Sequence, residues 1–441
     1  MNGQLEQLPA SAAACGVGPQ RAPCPPSAAG SASACSSRGA GSVAGRHSAL
    51  ASVRGAVSPV NGSAAMGGAR FVRWVLLWGI IALAAAFTER SWADDWPLGR
   101  GNPQGTGATE DALPENLELL WQVDVGGLGF DAGPIVAEGV IYAADAEGRI
   151  LAVNLSDGTI RWQLKLDTGF VASPGYRDGM LFLGDYDGNF RALQASDGEQ
   201  KWVYAAGMEI DASPNFYQDS VLFTSQSGAL YCVQIASGEL KWKYETNDQL
   251  QCSPTLAGSH TFLGGCDAHL HVVDVRSGTA AEPPIPIDAP TGSTPAIVGQ
   301  DVFVPTYAGE IFRFSLGKRE PVWRFRNPEL AEEFKNSAAV AHGILVAASR
   351  HKRVFALNTS DGSVRWVHVL RKRSDASPVI AGHSVIIAAA DGRIIRLDLE
   401  SGQQIWMTEL KGSFLGSPAI AGDRLVLTSD RGTIYCLGPR P

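Results

Sequence analysis

Cysteine is scarce in this chain, and its few thiols are poorly placed for chemistry. Of seven, three (Cys15, Cys24, Cys35) fall near the N-terminus and four (Cys232, Cys252, Cys266, Cys436) are scattered, with no two adjacent and no Cys-x-x-Cys. A thiolate metal motif is therefore not encoded. Helical periodicity is missing as well, which argues against a helical array. The longest apolar run, Trp74–Phe87, is short of the roughly 20 residues a membrane span needs. Positive charge is in deficit: residues 1–93 hold seven of the 36 Lys+Arg and two of the 44 Asp+Glu. The remainder carries 29 basic against 42 acidic residues, a net charge near −13, which points away from nucleic acid.

What is present begins with a leader. Residues 1–65 are dominated by Ala, Ser, Gly and Pro without apolar period, the composition of a disordered segment or of translation from a start upstream of the real one. Residues 66–93 read as a signal peptide: Met66, then Arg70 and Arg73, the apolar run, and Ser91-Trp92-Ala93 as a small-residue cleavage site. An uncleaved anchor is the rival reading, which the shortness of the run disfavours. No Cys follows the run to carry a lipid. Residues 94–116 form a Gly/Pro-rich link, Trp96–Gly107 being too irregular for strand or helix.

From 117 to 438 the chain repeats itself. A Ser-Pro pair or its equivalent stands at 133, 173, 213, 253, 294, 337, 377 and 417, and a Trp at 121, 162, 202, 242, 323, 366 and 406, with one slot empty near Pro283. Each unit, such as 173–202, holds short runs of β-forming residues closed by Gly or Asp-Gly. A period of about 40 with four strands per unit predicts an all-β, eight-bladed β-propeller. The eighth unit lacks a Trp strand and the strand around Trp121 lacks a blade, so the N-terminal strand is expected to close the ring. Ser-Pro segments are expected innermost and Trp strands outermost. The Asp-Gly turns and the connectors into Ser-Pro then share one face, the top. The indoles at Trp121, Trp162, Trp202, Trp242, Trp323, Trp366 and Trp406 are expected to be structural and buried between blades.

Local departures carry their own expectations. Four prolines in Ala280–Pro290 confine that stretch of blade four to an edge. Asn327–Phe334 reads as a short helical insert over the top face, with Pro at its start. Cys252 and Cys266 flank the Gly258-Ser259 turn almost symmetrically, so a disulfide across the hairpin and two buried thiols are both open.

The Ser-Pro, Asp-Gly and Gly-x-x-x-Trp pattern, as in Ser237–Trp242, resembles the tryptophan-docking repeat of the quinoprotein dehydrogenase-like (PQQ-like) propellers. The resemblance covers residues 117–438 and implies the fold, with each Trp tying one blade to the next. Two branches of that family differ in function. The pyrroloquinoline-quinone (PQQ) alcohol dehydrogenases carry large insertions, an adjacent Cys-Cys pair and a Ca²⁺ site with a catalytic Asp. This chain has neither the insertions nor the pair. The compact BamB-like branch, scaffold propellers of the outer-membrane barrel-assembly machinery, is similar in length, although the lipid-anchoring Cys is missing here. That branch implies an exported, periplasmic or extracellular monomer without cofactor, binding protein or peptide of the cell envelope. A PQQ- and Ca²⁺-dependent alcohol dehydrogenase is the alternative, and a sensor or structural module of the envelope the third reading.

Candidate site residues are few. Asp185, Asp187 and Asn189 alternate like cation ligands, but the turn Gly comes one place too early for an EF-hand, and a hairpin turn is the better reading. His269 and His271, close to Asp267 and Cys266, lack ligand spacing and read as strand residues, so no metal is expected. Asp131, Asp211 and Asp375 stand two residues before Ser-Pro slots and are expected around the top of the channel, holding a cation or capping connector N–H groups. Blade six is the exception in an acidic chain. Its turn reads Arg350-His351-Lys352-Arg353 and its exit connector Arg371-Lys372-Arg373, a patch expected on the top face to dock an acidic segment or anionic headgroups.

Overall fold

The computed structural model describes residues 95–330 and 332–440, so the leader and signal segments expected over 1–93 lie outside the described residues. Eight antiparallel sheets follow one another around a ring. Blade two shows the unit: a three-residue inner strand, Gly175–Arg177, then Met180–Gly184, Asn189–Gln194 and an outer strand Gln200–Ala205. Alternation explains the layering. The two middle strands are buried or half-buried throughout, as both their faces meet neighbouring blades, whereas the outer strand alternates exposed and half-buried residues. The eighth sheet takes its outer strand from before the first blade: Glu118–Asp124 runs antiparallel to Thr433–Gly438.

The blades are joined by indoles. Trp121, Trp162, Trp202, Trp242, Trp323 and Trp366 each donate Nε1–H to a carbonyl of the next blade, at Leu155, Ala195, Ile235, Val275, Thr359 and Leu399, over 2.8–3.1 Å. A glycine of the next blade's turn lies against each ring. At Gly238, for example, φ is +73° and a Cβ would come within 2.7 Å of the Trp202 indole. Trp406 packs against the core shared by blades seven, eight and one. Near the axis a second tie repeats: Ser213, Ser253, Thr294 and Ser337 each donate their N–H to the hydroxyl one blade on, at Ser253, Thr294, Ser337 and Ser377.

The Gly/Pro-rich link is not a link. It enters the ring at the end opposite the Asp-Gly turns and visits the inner strands in ring order. Trp96 bridges Val136 of blade one, and Pro97 O accepts from Tyr176 of blade two. Pro103 O accepts from the Asn215 side chain of blade three and from Leu256 N–H of blade four. The carbonyls of Gln104, Thr106 and Gly107 then accept from Ile297, Val340 and Ile380 of blades five, six and seven. Ala108–Thr109 ends the circuit as a parallel strand on Ile380–Ala381. Buried Arg100 spans the axis: its Nη2 donates to Ala338 O (2.9 Å) and Pro378 O (3.1 Å), and its Nη1 reaches Ser417 Oγ of blade eight at 3.5 Å. Burial lowers its pKa to about 10, leaving it charged at neutral pH. No side chain fits at Gly99, where a Cβ would meet Ser213 Oγ at 2.5 Å.

One expectation is corrected, and of the two alternatives left open at Cys252 and Cys266 the buried thiols are found. No helix occurs among the described residues, and the described part of Asn327–Phe334 runs as bends and irregular chain. Its polar groups are spent elsewhere: Glu329 N–H bonds the Asn327 side chain, Phe334 N–H bonds Thr306 O, and Glu333 O accepts from Arg350 N–H. With turn partners on offer, a segment of only about two helical turns gains little from helix nucleation. No disulfide joins Cys252 to Cys266. Thr255 pairs with Phe262, so the register sets Gly265 opposite Cys252. The one-residue offset turns the two side chains to different faces. Cys252 Sγ instead accepts from Gly264 N–H at 3.2 Å.

A chain beginning at Asp94 is expected to melt cooperatively, and one beginning at Phe130, without axial segment or last outer strand, to show no cooperative transition in calorimetry. Arg100→Ala should cost about 2–3 kcal/mol in denaturant unfolding, because charged donors to buried carbonyls are lost.

Candidate functional site

Each top turn is clamped between the connector entering its blade and the one leaving it. In blade two, Tyr186 N–H bonds Gly169 O of the entry connector, and Ala206 N–H of the exit connector bonds Gly188 O. Turns and connectors thus form one continuous face. The acidic turn residues are structural on this face: Asp185 accepts from Asn189 N–H at 2.8 Å and from the Arg191 guanidinium at 2.9 Å. Both nitrogens of buried His271 are engaged, by Asp267 at 3.0 Å and by the Tyr244 hydroxyl at 3.1 Å.

Asp131, Asp211 and Asp375 share a repeat position but not an environment. Asp375 lies 2.8 Å from the Arg373 guanidinium. The Asp131 pKa is raised, first by burial and then by the charge of Asp430 in blade eight. Asp211 is more strongly affected. Burial, then the neighbouring Glu209 carboxylate, pushes it up to about 7, although the Gln226 amide donates to Oδ2 at 3.1 Å. Its Oδ1 is buried without a hydrogen-bond partner among the described residues. Tyr186, in the turn of blade two, feels Asp131, Glu209 and Asp211 together, and burial with these charges raises its pKa to about 12. Blades one to three therefore present an acidic half. Among the described residues no three of His, Cys, Asp and Glu are grouped to hold a metal ion. The three aspartates are divided between an Arg partner and two separate acidic pairs, a donor set that does not fit a quinone–Ca²⁺ cradle.

Blade six faces that acidic half with a patch of the opposite sign. Its turn and exit connector are adjacent, Leu370 N–H bonding Lys352 O at 2.7 Å. Part of the patch is neutralised by residues the sequence pattern did not connect to it. The buried Glu332 carboxylate takes Arg353 at 2.9 Å and lies 3.6 Å from His351, while Glu333 takes Arg350 at 3.3 Å. These glutamates belong to the irregular insert, and only the fold brings them beside the turn. Lys352, Arg371 and Lys372 remain exposed, without an ion pair among the described residues. Lys352 also holds φ +65°, where blades one, two, three, five, seven and eight place Gly. Between blades seven and eight an open depression of about 510 Å³ is edged by Asp391, Lys411, Asp430 and Arg431.

Comparison with known proteins adds family to geometry. The family described as outer membrane protein assembly factor BamB matches residues 114–212, 207–281 and 285–440, pausing only at 282–284. BamB from Moraxella catarrhalis superposes with TM-score 0.65 at 20% identity, over 74% of this chain and 98% of that one. The quinohemoprotein alcohol dehydrogenase of Comamonas testosteroni gives TM-score 0.68 at 12% identity, over 79% and 81%. A computationally designed protein, Ika8, gives 0.63 at 13%, over 71% and 98%. At these identities the likenesses show the propeller fold alone. No curated protein matches the chain by sequence.

The raised pKa of Asp211 has a signed consequence. A folded value near 7, above the ordinary 3.8, contributes stability that is full below about 4 and is lost as pH rises through 7. Asp211→Asn is expected to stabilise the fold by up to about 4 kcal/mol at pH 8, by less than half of that at pH 5 and little below pH 4, read from Tm across that range. Lys352→Gly should add about 1 kcal/mol at either pH by relieving the left-handed turn.

Proposed function

The chain belongs to the family of the outer membrane protein assembly factor BamB, and on that premise we propose that it is an exported, non-catalytic scaffold. In this reading it holds protein or peptide partners of the cell envelope against the top face of its ring. The family match running through all eight blades carries the proposal. The blades support it physically. They add almost nothing to the minimal four strands, so the top face is a broad surface of turns rather than a covered cavity. Within it, Lys352, Arg371 and Lys372 offer exposed cations to an acidic polypeptide segment in an otherwise acidic protein. The half-neutralised patch suits recognition, because charges held by Glu332, Glu333 and Asp375 stay in place while the exposed ones seek partners.

Quinone-dependent oxidation is not part of this proposal, since the carboxylates present do not converge as a cation cradle. The deciding experiment is affinity capture from envelope extracts. Lys352→Glu with Arg371→Glu is expected to leave Tm nearly unchanged and to weaken capture several-fold, more at low salt than at high. Capture that ignores both substitutions at low salt removes the patch from the mechanism. Substrate-dependent reduction of added pyrroloquinoline quinone would overturn the non-catalytic reading.

A further inference from the structure

One docking position in the ring has no indole. In blades one, two, three, six and seven Trp stands four residues after the turn Gly, as Trp202 after Gly198 and Trp242 after Gly238; in blade four the residue four after Gly278 is Glu282. The receiving half has changed too. Four residues before Trp323, where blade five would supply the turn Gly, stands Arg319. The two changes are linked: the Arg319 guanidinium reaches back and donates to Pro283 O at 2.8 Å and Pro284 O at 3.1 Å. Pro283 and Pro284 lack N–H donors, so 282–284 bulges between two short ladder segments, Thr279–Ala280 and Ile285–Pro286. Arg319 ties blade four to blade five without filling the space between them.

The space is a cavity of about 180 Å³, open to solvent at one side. Its walls are those of the filled slots. Trp202 packs on Phe182 and Phe190 of its own blade, and eighty residues on, the cavity is walled by Phe262 and Leu270. Blade five contributes Val302 and Phe314, together with Leu316. The Leu316 carbonyl corresponds to Ile235 O, the acceptor of the Trp202 indole, and among the described residues no donor takes it. Apolar cavities of about 150 Å³ stay dry and admit benzene, so this one has room for an aromatic ring. The family match is interrupted at 282–284, the same three residues.

The geometry points to this vacant slot between blades four and five as a docking site for an indole side chain, a tryptophan carried by a partner polypeptide. Six filled slots in the same molecule define the occupant: a flat bicycle with its N–H aimed at a turn carbonyl and its face on aromatic and branched side chains. The wall and the acceptor persist, so the partner need supply only the ring. Buried indoles are among the most effective anchors of protein interfaces, because a large apolar area is covered with few rotors to freeze. Lys318 and Glu282 at the mouth favour a tryptophan flanked by polar residues over a wholly apolar segment. The site lies near the turns opposite the top face, so it extends the scaffold reading to a second surface and rests on that reading for its partner.

The test begins with N-acetyl-L-tryptophanamide, titrated against the described ring and followed by ligand-observed NMR. Saturable binding is expected, with N-acetyl-L-alaninamide inert. Glu282→Trp should fill the slot from within, raise Tm and weaken the probe roughly tenfold or more. Val272→Phe, which narrows the cavity from blade four, serves if that variant misfolds. Absence of saturable binding, or equal binding to both filled variants, overturns the site. Glu282→Trp is then compared with wild type in capture from envelope extracts, where weaker capture of the same partner is expected. Capture unchanged by filling the slot overturns the docking role while leaving the scaffold reading intact. Failure of wild type to capture anything overturns the scaffold reading, and the probe titration still reports on the slot.

Discussion

The ring depends on one contact repeated between sheets: an indole N–H given to a carbonyl of the next blade, with the ring lying on a turn glycine. Sheets stacked side by side need only apolar complementarity, which sets no registry along the interface. The indole sets it. A planar group some 6 Å from Phe182 and Phe190 on one blade, bonded at 2.8 Å to Ile235 O on the next, leaves little freedom to slide or tilt. The hydroxyl-to-amide relay of Ser213 through Ser377 does the same near the axis. Six indole bonds at the outer radius and four hydroxyl ties near the axis brace the ring, and its turns form a face whose groups are fixed in place.

That repeat is what made the fold legible. Trp, Gly and Ser-Pro recur because each solves the same contact, so spacing alone gave blade number and strand order. Features that occur once were not legible in this way. The segment from Trp96 to Gly107 bonds through its backbone to the inner strands of blade after blade, and backbone acceptors leave no side-chain signature. Glu332 and Glu333 looked like part of a helix because the pairing that stops them from being one lies with Arg353 and Arg350, brought close only by the ring. Cys252 and Cys266 looked symmetric about their turn, yet symmetry to within one residue is no symmetry at all in a strand. The vacant slot did leave a signal, since an arginine in the column of turn glycines, opposite a missing Trp, is visible once the repeats are aligned.

The top face is electrically divided. Burial first, and neighbouring carboxylates second, raise the proton affinities of Asp131 and Asp211, whereas blade six holds exposed cations against a net negative background. Such a surface orients an incoming dipolar or acidic segment before contact, and its reach is set by the Debye length of about 8 Å at physiological salt. None of this requires a moving part. Recognition by a rigid, unevenly charged face suits a protein whose middle strands are buried on both sides.

The axial segment imposes an order of events on folding. Synthesis delivers residues 96–109 before any blade, yet Arg100 finds its acceptors 238 and 278 residues later and its hydroxyl 317 residues later. Closing loops of that length is entropically slow, and fast folding on local contacts alone cannot reach this end state. Individual blades can condense as they appear, but the first-made stretch must stay unsettled until the last-made blade arrives. It then checks the whole: a ring with a blade missing or out of place would misalign successive carbonyls against their donors. A ring short of a blade would leave donors and carbonyls at this hub unpaired.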